Sequence, residues 1–345
     1  MTTGIFKYLD PATIVEHEQV WGKVDTDVTS YARLEKTLPV ANIRDTPDAF
    51  GTDVSGFAVF NSPTKGKLFH DDQVVRRDYY DEVEALLREK IPGVKKVVIF
   101  DHTIRRNDPG SARQPVQQVH VDQTPKAAES RVRRHVPASE VDDLLQRRYQ
   151  LINVWRPISH PATDFPLAVV DWRSTSPRDL VEVKLLYPIR DRDQDDDDRG
   201  KEVLPDPAKA RTTEGYEVKG ETYGILHNDS HRLYYVKDMT PDEVMFIKCF
   251  DSMSEGQPRG KPGIAALTPH TAFVDPQTPE GTPARQTELR DKYLQSGWAE
   301  CILATLSWEN KRDVNGSPGN YQTVHIYHPT LSGVTAPNGA GAALN

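Results

Sequence analysis

Val119-His120-Val121-Asp122-Gln123-Thr124-Pro125 is the stretch on which the reading of this chain turns. Valines flank the histidine, which marks a strand former. Side chains alternate across a strand, so His120 and Asp122 point to the same side. An imidazole and a carboxylate placed in this way can take two adjacent positions on one metal ion. A second histidine from a distant strand would complete a two-histidine, one-carboxylate face with three positions left open, the ligand pattern of non-haem Fe(II). Leu267-Thr268-Pro269-His270-Thr271-Ala272-Phe273 offers that residue in His270. Beyond it, Arg285-Gln286-Thr287 puts a guanidinium and a hydroxyl on one face of an extended segment, suited to a dicarboxylate such as 2-oxoglutarate.

The H-x-D spacing recurs, in His70 with Asp72 and in His227 with Asp229. The first of these lies in a polar loop ahead of a helix. His227-Asn228-Asp229-Ser230-His231 reads as a turn between two strand-like runs. Its separation from His270 suits a compact barrel, so it stands as the competing first half of the site.

Composition narrows the class. The chain has 345 residues, 37% hydrophobic and 27% charged, with a formal net charge of -8. That is a soluble globular composition, and no basic stripe marks a nucleic-acid binder. The N-terminus lacks a basic region followed by an apolar run, and no apolar stretch reaches 18 residues, so a cytoplasmic protein without membrane segments is expected. Cys249 and Cys301 form no C-x-x-C motif and read as two buried thiols. No G-x-G-x-x-G, Walker A or G-x-S-x-G sequence is present, which removes the simple dinucleotide, phosphate-loop and serine-hydrolase readings.

Taken in order, residues 1–56 read as an irregular N-terminal arm packing on the core, and Phe57-Ala58-Val59-Phe60 as a strand. Val83, Leu86, Leu87 and Ile91 share one face of a helix that Pro92-Gly93 ends. Val97-Val98-Ile99-Phe100 is a buried strand delivering His102 and Arg105 as pocket candidates. The basic stretch 126–135 reads as a loop, followed by a short helix carrying Val141, Leu144 and Leu145. Arg148 to Ile158 alternates, placing Asn153 and Trp155 on one face and Arg156 on the other; Arg148, Asn153, Trp155 and Arg156 are all pocket candidates, although alternation forbids Arg156 from sharing a face with Asn153. Further strands fall at 165–172, 180–187, 216–226, 232–236, 244–250 and 264–273. Thr240-Pro241-Asp242-Glu243 has capping-box spacing, predicting a turn of helix. The aspartate run at 191–198 lacks the glycine an EF-hand loop needs and reads as a solvated loop. The count of strands, with few helices, predicts a mainly β barrel or sandwich.

Several pieces, in this order, resemble the AsaB-type hydroxylase/desaturase family, which takes in gibberellin desaturase-like and CmcJ-like proteins. They are His120-Val121-Asp122-Gln123-Thr124-Pro125, Asn153-Val154-Trp155-Arg156-Pro157, Pro166-Leu167-Ala168, the segment from Arg232 to Ser252, and Thr268-Pro269-His270-Thr271-Ala272-Phe273. The resemblance spans about residues 55–290. It implies a double-stranded β-helix, jelly-roll or cupin-like, with peripheral helices, and an oxygenase using Fe(II), 2-oxoglutarate and O2 on a small secondary-metabolism intermediate. It places His120, Asp122 and His270 on the metal. The family usually has Arg-Glu-Ser where this chain has Arg285-Gln286-Thr287, so Arg290 rivals Arg285 for the co-substrate carboxylate. The expected organisation is an arm over 1–56, an oxygenase domain over 57–310 and an extension over 311–345. Two other classes remain open: a non-catalytic jelly-roll accessory subunit, and a metal-dependent hydrolase or isomerase using the same three residues.

Overall fold

The computed structural model describes residues 1–65, 72–105, 116–158, 160–163, 165–189, 211–278 and 297–307, with 72, 104–105 and 297–307 described as backbone only. Fourteen strands form two sheets among these residues. They are β1 (Thr2–Leu9), β2 (Trp21–Lys23), β3 (Arg33–Asn42), β4 (Phe57–Asn61), β5 (Ile99–Arg105), β6 (His120–Val121), β7 (Tyr149–Ile158), β8 (Leu167–Val170), β9 (Leu180–Pro188), β10 (Tyr216–Ile225), β11 (Leu233–Tyr235), β12 (Glu243–Asp251), β13 (His270–Ala272) and β14 (Gly297–Ser307). The nine-stranded sheet runs β1-β3-β11-β8-β13-β6-β10-β9-β2, and the five-stranded sheet β4-β12-β7-β14-β5. One core cluster joins Phe57, Trp155, Met245 and Ile247 of the small sheet to Leu167, Val169 and Ala272 of the large one, so the sheets pack face to face. This is the expected jelly-roll sandwich.

The first 56 residues are more regular than the sequence reading allowed. β1 buries Phe6 and Tyr8 while Ile5 stays exposed, and it pairs antiparallel with β3 along eight residues. Alternation this clean is a strand signal, and it builds one end of the large sheet. The stretch read as a basic loop is a helix, Pro125–His135. Thr124 caps it, its hydroxyl accepting from the Ala127 amide at 3.1 Å, and Pro125 occupies the first turn. Its apolar face is Ala127, Ala128 and Val132, and Arg133, Arg134 and His135 lie in its last turn, where the helix dipole favours positive charge. The helix expected after residue 80 runs Tyr80–Lys90, and the next runs Ala138–Leu145.

The capping-box residues at 240–243 make their contact without making a helix. The Glu243 carboxylate accepts from the Thr240 amide at 2.8 Å, but Glu243 already opens β12 opposite Asn61, and sheet pairing takes the backbone. β14, unread in the sequence, lies between β7 and β5. The 311–345 extension lies outside the described residues. No helix among the described residues is long and apolar enough to cross a membrane.

Helix Pro125–His135 ends in a pH-sensitive contact. The His135 ring stacks on Phe100, with centroids 4.3 Å apart and planes at 3°, and its Nε2 is buried without a hydrogen-bond partner. Burial, reinforced by the charges of Arg131 and Arg134, pushes its pKa down to about 4. A folded-state value below the unfolded one, about 6.5, means that the unfolded chain binds the proton first. Stability is therefore expected to fall as pH drops from about 6.5 to about 4. Urea midpoints at both ends of that window should differ less in His135→Leu than in the parent; an unchanged difference would remove His135 as a source.

Candidate metal centre

β13 lies between β8 and β6 in the large sheet, and His270 is paired directly with His120 across the ladder. Directly opposed residues in neighbouring strands project on the same side within a few ångströms. The ring centroids are 4.5 Å apart. Asp122, two residues beyond His120, closes the group. His120 Nε2 lies 3.3 Å from Oδ1, and His270 Nε2 lies 3.6 Å from Oδ2. One donor atom from each of the three residues falls within 4.8 Å of the others, and this is the only such group of His, Cys, Asp or Glu found among the described residues.

Both imidazoles are oriented by their own strands. His120 Nδ1 lies 2.7 Å from the Gln118 carbonyl oxygen, and His270 Nδ1 lies 3.0 Å from that of Thr268. A carbonyl can only accept, so each Nδ1 carries the hydrogen, and in the neutral ring each Nε2 presents a lone pair on the side of Asp122. A ring fixed in this tautomer by an outer partner is what metal-bound histidines require. Burial would raise the Asp122 pKa, but with protons still on both Nε2 atoms the His120 hydrogen bond, the two imidazolium charges and the Asn153 amide outweigh it and hold the carboxyl well below the usual carboxylate range. The donor set thus fits a divalent metal: one anionic oxygen and two neutral nitrogens on one face.

The segment before His270 needs a glycine far away in sequence. Gly56 has φ +91, and a Cβ there would meet Thr268 Oγ1 at 2.4 Å and the Leu267 carbonyl at 2.8 Å. Thr268 in turn donates to the Gly56 carbonyl at 2.6 Å. Any side chain at 56 would displace the residue whose carbonyl sets the His270 ring.

The other candidates separate cleanly. Asn153 is fully buried on β7, and its Nδ2 donates to Asp122 Oδ2 at 2.5 Å. Trp155, on the same face, packs with Val169 and Ala272 beside His270. Arg156 faces the opposite way, as alternation requires, donating to Tyr79 Oη at 3.0 Å and to the Pro241 carbonyl at 2.8 Å. That corrects its assignment as a pocket residue. His102 is likewise on the helix side, sharing a 2.9 Å hydrogen bond with Tyr80 of helix Tyr80–Lys90. Arg148 belongs to an ion cluster with Asp53 and Asp251. The backbone of Arg105 pairs with Trp298. Arg285, Thr287, Arg290 and His70 lie outside the described residues.

The rival pair does not converge. His227 Nδ1 is 3.7 Å from Asp229 Oδ1, but Asp229 is fully exposed. His231 is bound to Asp179 at 3.0 Å, which ties this turn into the fold. One site residue escaped the sequence reading. Cys249, taken as an inert buried thiol, has its Sγ 3.6 Å from Asp122 Oδ2.

A jelly roll with two histidines and a carboxylate gathered on its inner face defines a class, the metal-dependent oxidoreductases of this fold. A family profile described as an oxidoreductase/YMDC permease-like domain matches residues 6–290. The chain belongs to that family, and within it to the hydroxylase/desaturases. It is 30% identical to the hydroxylase/desaturase efuI of Hormonema carpetanum over 269 residues, covering 73% of this chain and 81% of the relative. It is 28% identical to the Fe(II)/2-oxoglutarate-dependent dioxygenase nvfI of Aspergillus novofumigatus over 249 residues, covering 70% of this chain and 76% of that one. The solved structure of an iron and alpha-ketoglutarate-dependent endoperoxidase, NvfI, superposes with TM-score 0.68 at 22% identity, covering 89% of this chain and 98% of the other, and establishes the shared fold.

Proposed function

We propose that this chain is an Fe(II)- and 2-oxoglutarate-dependent oxygenase acting on a small natural-product intermediate in the cytosol. The observation that carries the reading is the opposed His120–His270 pair closed by Asp122, with both Nδ1 atoms tied to backbone carbonyls. His120, Asp122 and His270 are the ligands in this reading. Bound there, Fe(II) with 2-oxoglutarate and O2 supplies the oxidising power for hydroxylation, desaturation or oxidative ring closure. The names of similar proteins run from hydroxylase/desaturase to endoperoxidase.

The chain's own residues do the positioning. Gln118 and Thr268 hold the imidazole tautomers, while Trp155, Val169 and Ala272 form a dry wall beside His270. Arg285 is assigned the distal carboxylate of 2-oxoglutarate, with Thr287 adding a hydroxyl and Arg290 as the rival. A planar guanidinium can hold both carboxylate oxygens, which an ammonium cannot. Arg285→Ala should raise the apparent requirement for 2-oxoglutarate by roughly ten- to a hundredfold, from a loss of about 1.5 to 3 kcal/mol of charged hydrogen bonding. Iron binding should survive. If only Arg290→Ala has that effect, the role passes to Arg290.

Anaerobic titration tests the whole reading: Fe(II) followed by 2-oxoglutarate should raise the weak visible charge-transfer band of the chelate. Tight Fe(II) binding without the band would favour a metal enzyme of another class. Failure to bind any divalent metal would favour an accessory subunit.

A further inference from the structure

Asp122 is the member of the trio that no strand pairing holds. β6 ends at Val121, and Asp122 stands in the bend leading to helix Pro125–His135. Its carboxylate is held from across the sandwich instead. Asn153 donates Nδ2 to Oδ2 at 2.5 Å, and the Cys249 thiol lies 3.6 Å from that same oxygen. An ionised carboxylate accepts only, so the amide must turn its NH2 toward Asp122. Asn153 is well placed to impose a geometry. It is fully buried in β7, between β12 and β14, with Ile247 opposite it on one side and Ile302 on the other.

The bulge that brings Cys249 in is equally specific. The β7–β12 register shifts between Lys248 and Phe250, and Cys249 is the residue that the shift passes over. Bulges re-aim side chains in this way and recur beside active sites. Both groups converge on Oδ2, which also lies 3.6 Å from His270 Nε2, while Oδ1 lies 3.3 Å from His120 Nε2 and is the oxygen toward which neither Asn153 nor Cys249 is directed.

We propose that Asn153, seconded by Cys249, is a positioning residue that confines Asp122 to a single metal bond through Oδ1. The inference rests on the metal-centre reading above and adds a reason for the arrangement. With one bond from each of three residues, three of six positions stay open, two for a chelating co-substrate and one for oxygen. A carboxylate free to rotate and bind through both oxygens would occupy a fourth position and compete with one of these.

Mn(II) is the probe that separates this role from a structural one, because the proton relaxation of solvent water reports how many waters the bound ion carries. Asn153→Ala should weaken Mn(II) binding by roughly ten- to a hundredfold, as for other outer partners of metal ligands. The relaxivity of each bound ion should fall by about a third as the open positions drop from three to two. Asn153→Ser, which keeps a shorter donor, should lie between. Cys249→Val, which removes the weaker contact, should move both measurements the same way by less. Unchanged relaxivity in Asn153→Ala, whatever its affinity, overturns the assignment. If that variant does not fold, Cys249→Val decides, and parental values for both measurements overturn it. Failure of the parent to bind Mn(II) would instead strike at the metal-centre reading.

Discussion

Asp122→Ala is expected to strip the protein of metal, with a loss of affinity beyond the roughly ten- to a hundredfold that outer contacts control. Asp122 is the only carboxylate of the trio and is the group beside which both Nε2 atoms lie. Two neutral imidazoles alone hold a hard divalent ion weakly. The fold should survive, because Asp122 lies outside the sheet ladders, although Asn153 loses its acceptor at a cost of about 1 to 3 kcal/mol. Metal content after anaerobic loading, measured beside circular dichroism, checks both halves. A variant that keeps stoichiometric Fe(II) would exclude Asp122 as a ligand.

The parts of this site that were legible in the sequence are those fixed by local parity. His120 and Asp122 share a side because they are two residues apart, and Asn153 parts from Arg156 because they are three apart. Neither inference needs tertiary information. What parity cannot supply is which face of a strand meets the other sheet, so parity alone leaves Arg156 and His102 open as pocket residues. Helix Tyr80–Lys90 covers the outer face of the small sheet, burying Ile152 and Val154 with Val83 and Leu87, and both candidates lie on that side. Cys249 was hidden for a different reason. Its approach to Asp122 depends on a bulge, and no spacing in one strand reveals where a partner strand will slip. The helix over Pro125–His135 carries its signal in the Thr124-Pro125 cap, because its many charged residues leave only Ala127, Ala128 and Val132 to mark an apolar face.

The charge cluster around Asp251 was invisible because its members are scattered along the chain, and its removal is expected to have the largest effect on stability. Asp251 is fully buried. It accepts from Arg148 Nη2 at 2.5 Å, Gln150 Nε2 at 2.6 Å, Lys248 Nζ at 2.9 Å and the Met253 amide at 2.9 Å. Lys248, also fully buried, adds Asp53 at 2.6 Å and the Ala265 carbonyl at 3.1 Å. The cluster thereby ties the Asp53–Gly56 turn and the approach to His270 to the end of β12. Asp251→Ala would take from a buried ammonium and a partly buried guanidinium the buried carboxylate that they share. Breaking a buried pair in this way costs about 3 to 5 kcal/mol. Lys248→Met should cost less, since Asp251 keeps Arg148 as a partner. Burial would raise both carboxyls, but Lys248 and Arg148 hold Asp53 down to about 2 and keep Asp251 below its ordinary value. The cluster's stabilisation is therefore full above the unfolded carboxylate value, about 4, and is lost as pH falls through the depressed folded values, for Asp53 near 2. Chemical unfolding near neutral pH and at acid pH reads this directly. Asp251→Ala should lie well below the parent at neutral pH and approach it in acid. A neutral-pH difference under about 1 kcal/mol would show the cluster to be worth no more than an exposed ion pair.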